Sequence, residues 1–145
     1  MFSRIAPRYD LMNRLMTAGM DRRLRQIVVQ KAALPLQGTL LDLATGTGDM
    51  AYEARRQYPT AQIYASDFSF AMMKIGQKKD PNPLHFFAAD ALNIPFEAES
   101  CDAVVSGFLL RNIIDLDRTL QEHKRVLKPG GIFVSLDTTR PRKTL

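Results

Sequence analysis

The chain holds very little cysteine: one residue, Cys101, in 145. An internal disulfide is excluded, and a lone thiol fits a reducing compartment. Histidine is nearly as scarce. His85 and His123 are the only two, and they are not spaced as a ligand pair, so no metal site is expected. Long apolar runs are missing as well. None approaches the roughly 20 residues that span a bilayer, and Arg4, Arg8 and Asp10 interrupt the N-terminus where a signal peptide would be apolar. There are no internal repeats and no low-complexity segments. These absences leave a cytoplasmic globular domain as the expectation.

What is present agrees with that. Apolar residues make up 46% and charged residues 24%, enough for one domain with a real core. The net charge of +5 raises the question of an anionic partner. The basic residues cluster at Arg22, Arg23 and Arg25, at Arg55 and Arg56, at Lys78 and Lys79, and at Arg140, Arg142 and Lys143. None of these clusters is interleaved with aromatics as in a nucleic-acid motif. They read as solvated faces, with at most a peripheral attraction to an anionic membrane surface.

Apolar periodicity and punctuation predict five strands alternating with helices. Helices are expected over 9–17, 21–34 (with Asp21 as N-cap), 48–58, 69–79 (capped by Ser69) and 116–127. In the last, Leu116, Leu120 and Leu127 form the apolar face. Strands are expected over 39–43, 62–66, 84–89, 102–106 and 132–136, with Gly130 stopping the last helix. The alternation implies an α/β fold with a doubly wound, mostly parallel sheet, in which ligands bind beyond the carboxyl ends of the strands.

One stretch stands out: Leu41-Asp42-Leu43-Ala44-Thr45-Gly46-Thr47-Gly48-Asp49. An apolar run ends in an acid, a small-residue loop follows, and a helix begins. Glycines let backbone approach a ligand, and a helix start offers unpaired N–H donors. A side chain at Gly46 or Gly48 should therefore block ligand approach. Gly46-x-Gly48-x-x-Ala51 also fits a dinucleotide fingerprint, so a nicotinamide-dependent oxidoreductase is one reading. Asp42 argues against it, because a pyrophosphate would meet a carboxylate at the strand end. Acids follow three successive expected strands: Asp42, Asp67 and Asp90. S-adenosylmethionine, with its ammonium, sulfonium, ribose diol and adenine, suits three acids better than a phosphate chain does. Asp67 would take the ribose, and Asp90-Ala91 the adenine amino group. Each acid alone could instead cap a turn or a helix.

The glycine motif resembles the first motif of class I S-adenosylmethionine-dependent methyltransferases. Tyr9-Asp10-Leu11-Met12-Asn13, Leu110-Arg111-Asn112 and Arg125-Val126-Leu127-Lys128-Pro129-Gly130-Gly131 are similar to signatures of the ubiquinone/menaquinone biosynthesis C-methyltransferase family. The likeness covers nearly the whole chain. It implies transfer of a methyl group to a ring carbon of a polyprenylated quinol, with S-adenosylmethionine as donor. Residues 1–38 would form a helical lid on the substrate side, carrying Tyr9, and residues 39–145 the cofactor-binding core. Asp42, Gly46, Thr47, Gly48, Asp67, Asp90, Ala91 and Gly107 would hold the cofactor; Arg111 and Asn112, with Tyr9, would serve catalysis. Gly107 stands where the family has a serine, and Asp137-Thr138-Thr139 where it has Glu-Phe-Ser. Ion pairing of Arg111 with Asp115 or Asp117 is the plainer alternative for that residue, and a cofactor-binding remnant without turnover is the alternative for the whole chain. Family members run on past the position of Leu145 through further strands. Residues 132–136 would then be an exposed sheet edge here, and pairing through it, as a homodimer, is expected.

Overall fold

The sheet is organised around Thr39–Leu43 (β1), whose Leu40, Leu41 and Leu43 are all buried. A strand buried on both faces belongs at the centre of a parallel sheet. The computed structural model, which describes residues 20–137, puts it there. Gln62–Asp67 (β2) and His85–Ala88 (β3) lie to one side. Cys101–Gly107 (β4) and Leu127–Leu136 (β5) lie to the other, giving the order β3-β2-β1-β4-β5 with every pairing parallel. Strand order reverses at β1, so the crevice beyond its carboxyl end is the expected ligand position. The doubly wound α/β fold read from the sequence is the fold found. The helix expected over 9–17 lies outside the described residues.

The period of two sorts the core into layers. Leu40, Ala103 and Val105 face Met20–Lys31 (α1) and Asp49–Gln57 (α2) through Val28, Val29, Ala51 and Ala54. Leu41, Leu43 and Val104 face the other way, toward Ile94 and Val126 of Leu116–Val126 (α4). The remaining helix, Phe70–Gln77 (α3), buries Met72 and Met73. Its N-cap is Ser69, whose hydroxyl accepts the Met72 amide at 3.4 Å, as expected.

Several boundaries differ from the sequence reading, each for a local reason. The backbone of Asp21 is already helical, so it does not cap α1. That helix stops at Lys31 because Ala33 turns left-handed (φ 45°) ahead of Pro35. Leu127 does not end a helix: it is extended and pairs with Cys101, while Ile132 pairs with Ala103. The register shift leaves Lys128-Pro129-Gly130-Gly131 as a bulge in β5, with Gly130 at φ 79°.

The face of α4 is also corrected. Leu116 and Leu120 are exposed, and the buried positions are Thr119, His123 and Val126. Thr119 satisfies its hydroxyl on the Asp115 carbonyl at 2.8 Å. His123 bonds through Nδ1 to the Thr119 carbonyl at 2.7 Å and stacks on Phe133. Internal hydrogen bonds thus satisfy Thr119 and the Nδ1 of His123, while His123 Nε2 is buried without a partner among the described residues. Burial also holds the His123 imidazole below its ordinary pKa, so it sits neutral. Cys101, expected in or beside the fourth strand, opens β4 and is fully buried.

Candidate active site

A cavity of about 340 Å³ opens where β1, β2 and β4 end. The loop Ala44–Thr47 forms its floor, Asp67, Phe68 and Ser69 one side, and Gly107, Phe108 and Leu109 another. Two non-glycine residues in these loops, Ala44 (φ 56°) and Phe108 (φ 59°), hold left-handed backbone. Such strain persists only where surrounding structure enforces it, and it concentrates at functional sites.

Asp42, on the strand itself, is 1% exposed. Its Oδ2 accepts the Thr45 hydroxyl at 2.5 Å. Burial pushes its carboxyl up to about 7; the Thr45 bond opposes the rise, and the carboxylates of Asp67 and Asp49 add to it. A buried acid held near neutrality is well matched to a cationic ligand, which would favour its ionised form. Asp67 has a different task. Its Oδ2 accepts the Gly46 amide at 2.8 Å and its Oδ1 the Ser69 amide at 2.7 Å. The carboxylate therefore ties the glycine loop to the start of α3, and a carboxylate has lone pairs left for ligand hydroxyls.

Gly46 (φ 61°) and Gly48 (φ 88°) both need the left-handed region, which a side chain would strain. The reason a side chain is excluded at Gly48 differs from the expected one. A Cβ there would fall 2.7 Å from Phe86 Cζ, and a Cβ at Gly76 would meet the same atom at 2.7 Å. Phe86 fills the gap between the loop and α3, so packing takes the room beside Gly48, which is not among the residues lining the cavity. Thr47 is buried, and Lys79 Nζ donates to its hydroxyl at 2.5 Å. Lys79 also reaches Asp49 at 2.6 Å, and Arg25 of α1 reaches the same carboxylate at 3.2 Å.

A model of the ubiE/COQ5 methyltransferase family matches residues 1–145. The chain belongs to this family. It is 48% identical over 146 residues to the ubiquinone/menaquinone biosynthesis C-methyltransferase UbiE of Desulfotalea psychrophila, covering all of this chain and 59% of that protein. It is 43% identical to the demethylmenaquinone methyltransferase of Roseiflexus castenholzii, covering all of this chain and 61% of that one. The chain thus spans about three fifths of the length of these curated relatives. Among solved structures, a putative S-adenosyl-L-methionine-dependent methyltransferase from Methanococcus maripaludis superposes with a TM-score of 0.79 at 23% identity, over 92% of this chain and 62% of that one. Geranyl diphosphate C-methyltransferase from Streptomyces coelicolor gives 0.72 at 20% identity, over 79% of this chain and 45% of that one. These two likenesses establish the fold alone.

Against the family's expected site, the cavity brings together Asp42, Gly46, Thr47, Asp67, Gly107 and Asn112. A Cβ at Gly107 would touch only the flexible end of Met50, at 3.2 Å. Asp90 and Ala91 do not line the cavity: Asp90 Oδ1 accepts the Leu92 amide at 2.9 Å, a local turn that draws the carboxylate onto its own backbone. Arg111 and Asn112 lie on a 3₁₀ turn, Leu110–Asn112. Asn112 Nδ2 donates to the Phe108 carbonyl at 3.3 Å, and the Arg111 guanidinium sits 5.0 Å over the Phe108 ring. The alternative pairing through Asp115 has a competitor, because Asp115 Oδ1 caps α4 by accepting the Arg118 amide at 3.0 Å. Tyr9 lies outside the described residues.

Sequence reasoning missed Arg25 and Asp137. Asp137 Oδ2 accepts the Arg111 amide at 3.0 Å and so anchors that turn. The rule that found the other acids, a carboxylate just after a strand, applies equally to Asp137 after β5. Nothing in one dimension marks Arg25. Among the described residues no helix is long and apolar enough to cross a membrane, and no cluster of His, Cys, Asp or Glu could hold a metal ion.

Proposed function

We propose that this chain binds S-adenosylmethionine and forms the catalytic core of a C-methyltransferase acting on a polyprenylated quinol, of the demethylmenaquinol or ubiquinol-precursor kind. The observation that carries the reading is the buried Asp42 carboxyl beneath a cavity that Asp67 also lines. Two acids there would repel the pyrophosphate of a nicotinamide cofactor and attract a cationic donor. The names of the relatives support the quinol as substrate.

When bound, S-adenosylmethionine supplies a methyl group activated by a sulfonium. Asp42 would balance its positive charge, Asp67 would accept from the ribose hydroxyls, and the Gly46–Gly48 loop would admit it at backbone distance. The ring carbon of a quinol becomes nucleophilic once a ring hydroxyl gives up its proton. Arg111 cannot take that proton, because a guanidinium stays charged; it can stabilise the oxyanion that remains, with Asn112 orienting the hydroxyl or a water. Incubating the protein with a short-chain demethylated naphthoquinol and the donor tests the reading. The product should carry its new methyl on a ring carbon by mass spectrometry and NMR. An O-methyl product, or calorimetric binding of NAD in preference to S-adenosylmethionine, would refute it.

Two further parts belong to the same proposal. A substrate with a polyprenyl tail favours work at the cytoplasmic face of a membrane, in peripheral contact only. Residues 132–136, on the edge strand β5 with Ile132 37% exposed, favour pairing of two copies. Sedimentation over a concentration series should reveal a dimer; a monomer at every concentration would dismiss that part.

A further inference from the structure

Two large apolar side chains stand in solvent at the mouth of the cavity. Phe68, which lines it, is 87% exposed, and Phe70, which opens α3, is 74% exposed. On the other wall Leu109 and Asn112 line the cavity, and Ile114, two residues further on, is fully exposed. A single exposed apolar residue is ordinary, but a group of them around a cavity mouth marks an interaction surface. We infer, resting on the quinol reading above, that this mouth is the face that docks on a membrane. Phe68 and Phe70 on one lip and Ile114 on the other enter the headgroup boundary of an anionic bilayer, and the cavity opens onto the lipid.

Three observations support this. First, the phenylalanines are held out by hydrogen bonds. Asp67 accepts the Gly46 and Ser69 amides, and the Ser69 hydroxyl accepts the Met72 amide, so the backbone between the two rings is fixed on both sides. Second, the charge on this lip has the sign an anionic surface requires. From Phe68 to Lys79 the sequence holds three lysines and no acid. Lys79 is engaged with Thr47 and Asp49, whereas Lys74 is exposed and forms no ion pair among the described residues. Lys74 follows Phe70 by four residues on the same face of α3, about 6 Å along the axis. Its ammonium can therefore reach lipid phosphates while the Phe70 ring lies deeper. The other lip is balanced, with Arg111 and Arg118 against Asp115 and Asp117, so Ile114 adds apolar surface without net charge. Third, a polyprenyl tail stays in the bilayer while its ring must reach the cavity. A mouth seated on lipid admits the ring without drawing the tail through water. A second copy seated symmetrically on this face would set its lysines toward these, at a like-charge cost.

The chain has no tryptophan, so Phe70→Trp places a single indole at the lip. Leu36→Trp is the control: Leu36 is 85% exposed and precedes β1, at the end of the sheet away from the cavity. Vesicles of equal parts phosphatidylcholine and phosphatidylglycerol should shift the emission of Phe70→Trp to the blue and leave that of Leu36→Trp unchanged. Co-sedimentation with the same vesicles should weaken by roughly 10-fold or more in the double variant Phe70→Gln, Ile114→Gln, the scale of two apolar side chains left in water. It should weaken by about fivefold in Lys74→Gln, the scale of one lysine at an anionic surface, and that loss should vanish on phosphatidylcholine alone. Circular dichroism checks that each variant folds. With a short-chain quinol dissolved in water, the double variant should keep its KM within about twofold; with a long-tailed quinol held in vesicles, its KM should rise by about tenfold. A blue shift in both tryptophan variants, or equal vesicle binding by the double variant and the unaltered chain, would overturn the docking face. So would a double variant that loses self-association and not vesicle binding, because the face would then be a contact between copies. Turnover of the short-chain quinol with no vesicle binding by the unaltered chain overturns the docking face and keeps the quinol reading. Vesicle binding through Phe70 with no quinol methylated does the reverse.

Discussion

Replacing Arg111 by alanine should lower kcat for quinol methylation by roughly 10²–10³, the effect of removing one donor aimed at a developing oxyanion. The residue is exposed on its 3₁₀ turn, and its guanidinium rests on the ring of Phe108, which lines the cavity. That perch holds a full positive charge beside a residue of the cavity wall, while Arg111 itself does not line the cavity. The turn itself is fixed through the backbone: the Arg111 amide donates to Asp137 Oδ2 at 3.0 Å, and the Asn112 amide to the Leu109 carbonyl at 3.0 Å. Truncating the side chain leaves both bonds in place. The contact with the ring is an exposed cation–π pair of about 0.5–1 kcal/mol. Affinity for S-adenosylmethionine should therefore change by less than about twofold, since Asp42, Asp67 and the glycine loop stay intact. Steady-state kinetics beside calorimetry on the same preparation checks both halves. Normal turnover at saturation with lost cofactor affinity would make Arg111 a cofactor residue.

Asp42→Asn should stabilise the unliganded protein at neutral pH and flatten its pH dependence. The carboxyl titrates near 7 in the fold against 3.8 for an unhindered aspartate. Below pH 3.8 it is protonated whether the chain is folded or not, and it contributes nothing. Between 3.8 and 7 the unfolded chain has released the proton that the folded chain still holds, so folding loses about 1.4 kcal/mol for each pH unit gained. Above 7 both states are ionised and the loss is constant, at about 4 kcal/mol over the roughly three-unit gap. Asparagine never ionises, and its amide oxygen can still accept the Thr45 hydroxyl. Urea unfolding from pH 4 to pH 8 should show the variant gaining on the unaltered chain as pH rises, with no difference at the acid end. The same substitution should weaken S-adenosylmethionine, because the charge that balances the donor is gone. A stability difference independent of pH would show that Asp42 is not held protonated by burial.

The cavity was half legible in one dimension. The glycine loop and the acids at the carboxyl ends of β1 and β2 could be read because each is a local signal: a small-residue turn needing left-handed backbone, and a carboxylate near the end of an apolar run. Asp90 carries the same local signal and, like Asp67, accepts the amide two residues on, but the turn after β3 lies outside the cavity's lining. Gly48 was read correctly as a position without room for a side chain. Its neighbour Phe86 could not be foreseen, because the two meet only through the packing of the loop against β3.

The sequence by itself determined the class of the fold. Alternating strand and helix periods with short connections leave few arrangements other than a doubly wound sheet, and the Tyr-Asp-Leu-Met-Asn and Arg-Asn motifs, together and in this order, point to the family. Those are properties of neighbours along the chain. Tertiary structure alone decided which face of α4 is buried, because Leu116 and Leu120 point to solvent while Thr119 and His123 pack inward, bonded to the carbonyls of Asp115 and Thr119. It also decided that Arg25 and Asp49, 24 residues apart, meet beside the cavity. Charge complementarity at a site depends on distances in space, and those exist only after β1 has its two neighbours and α1 lies across α2.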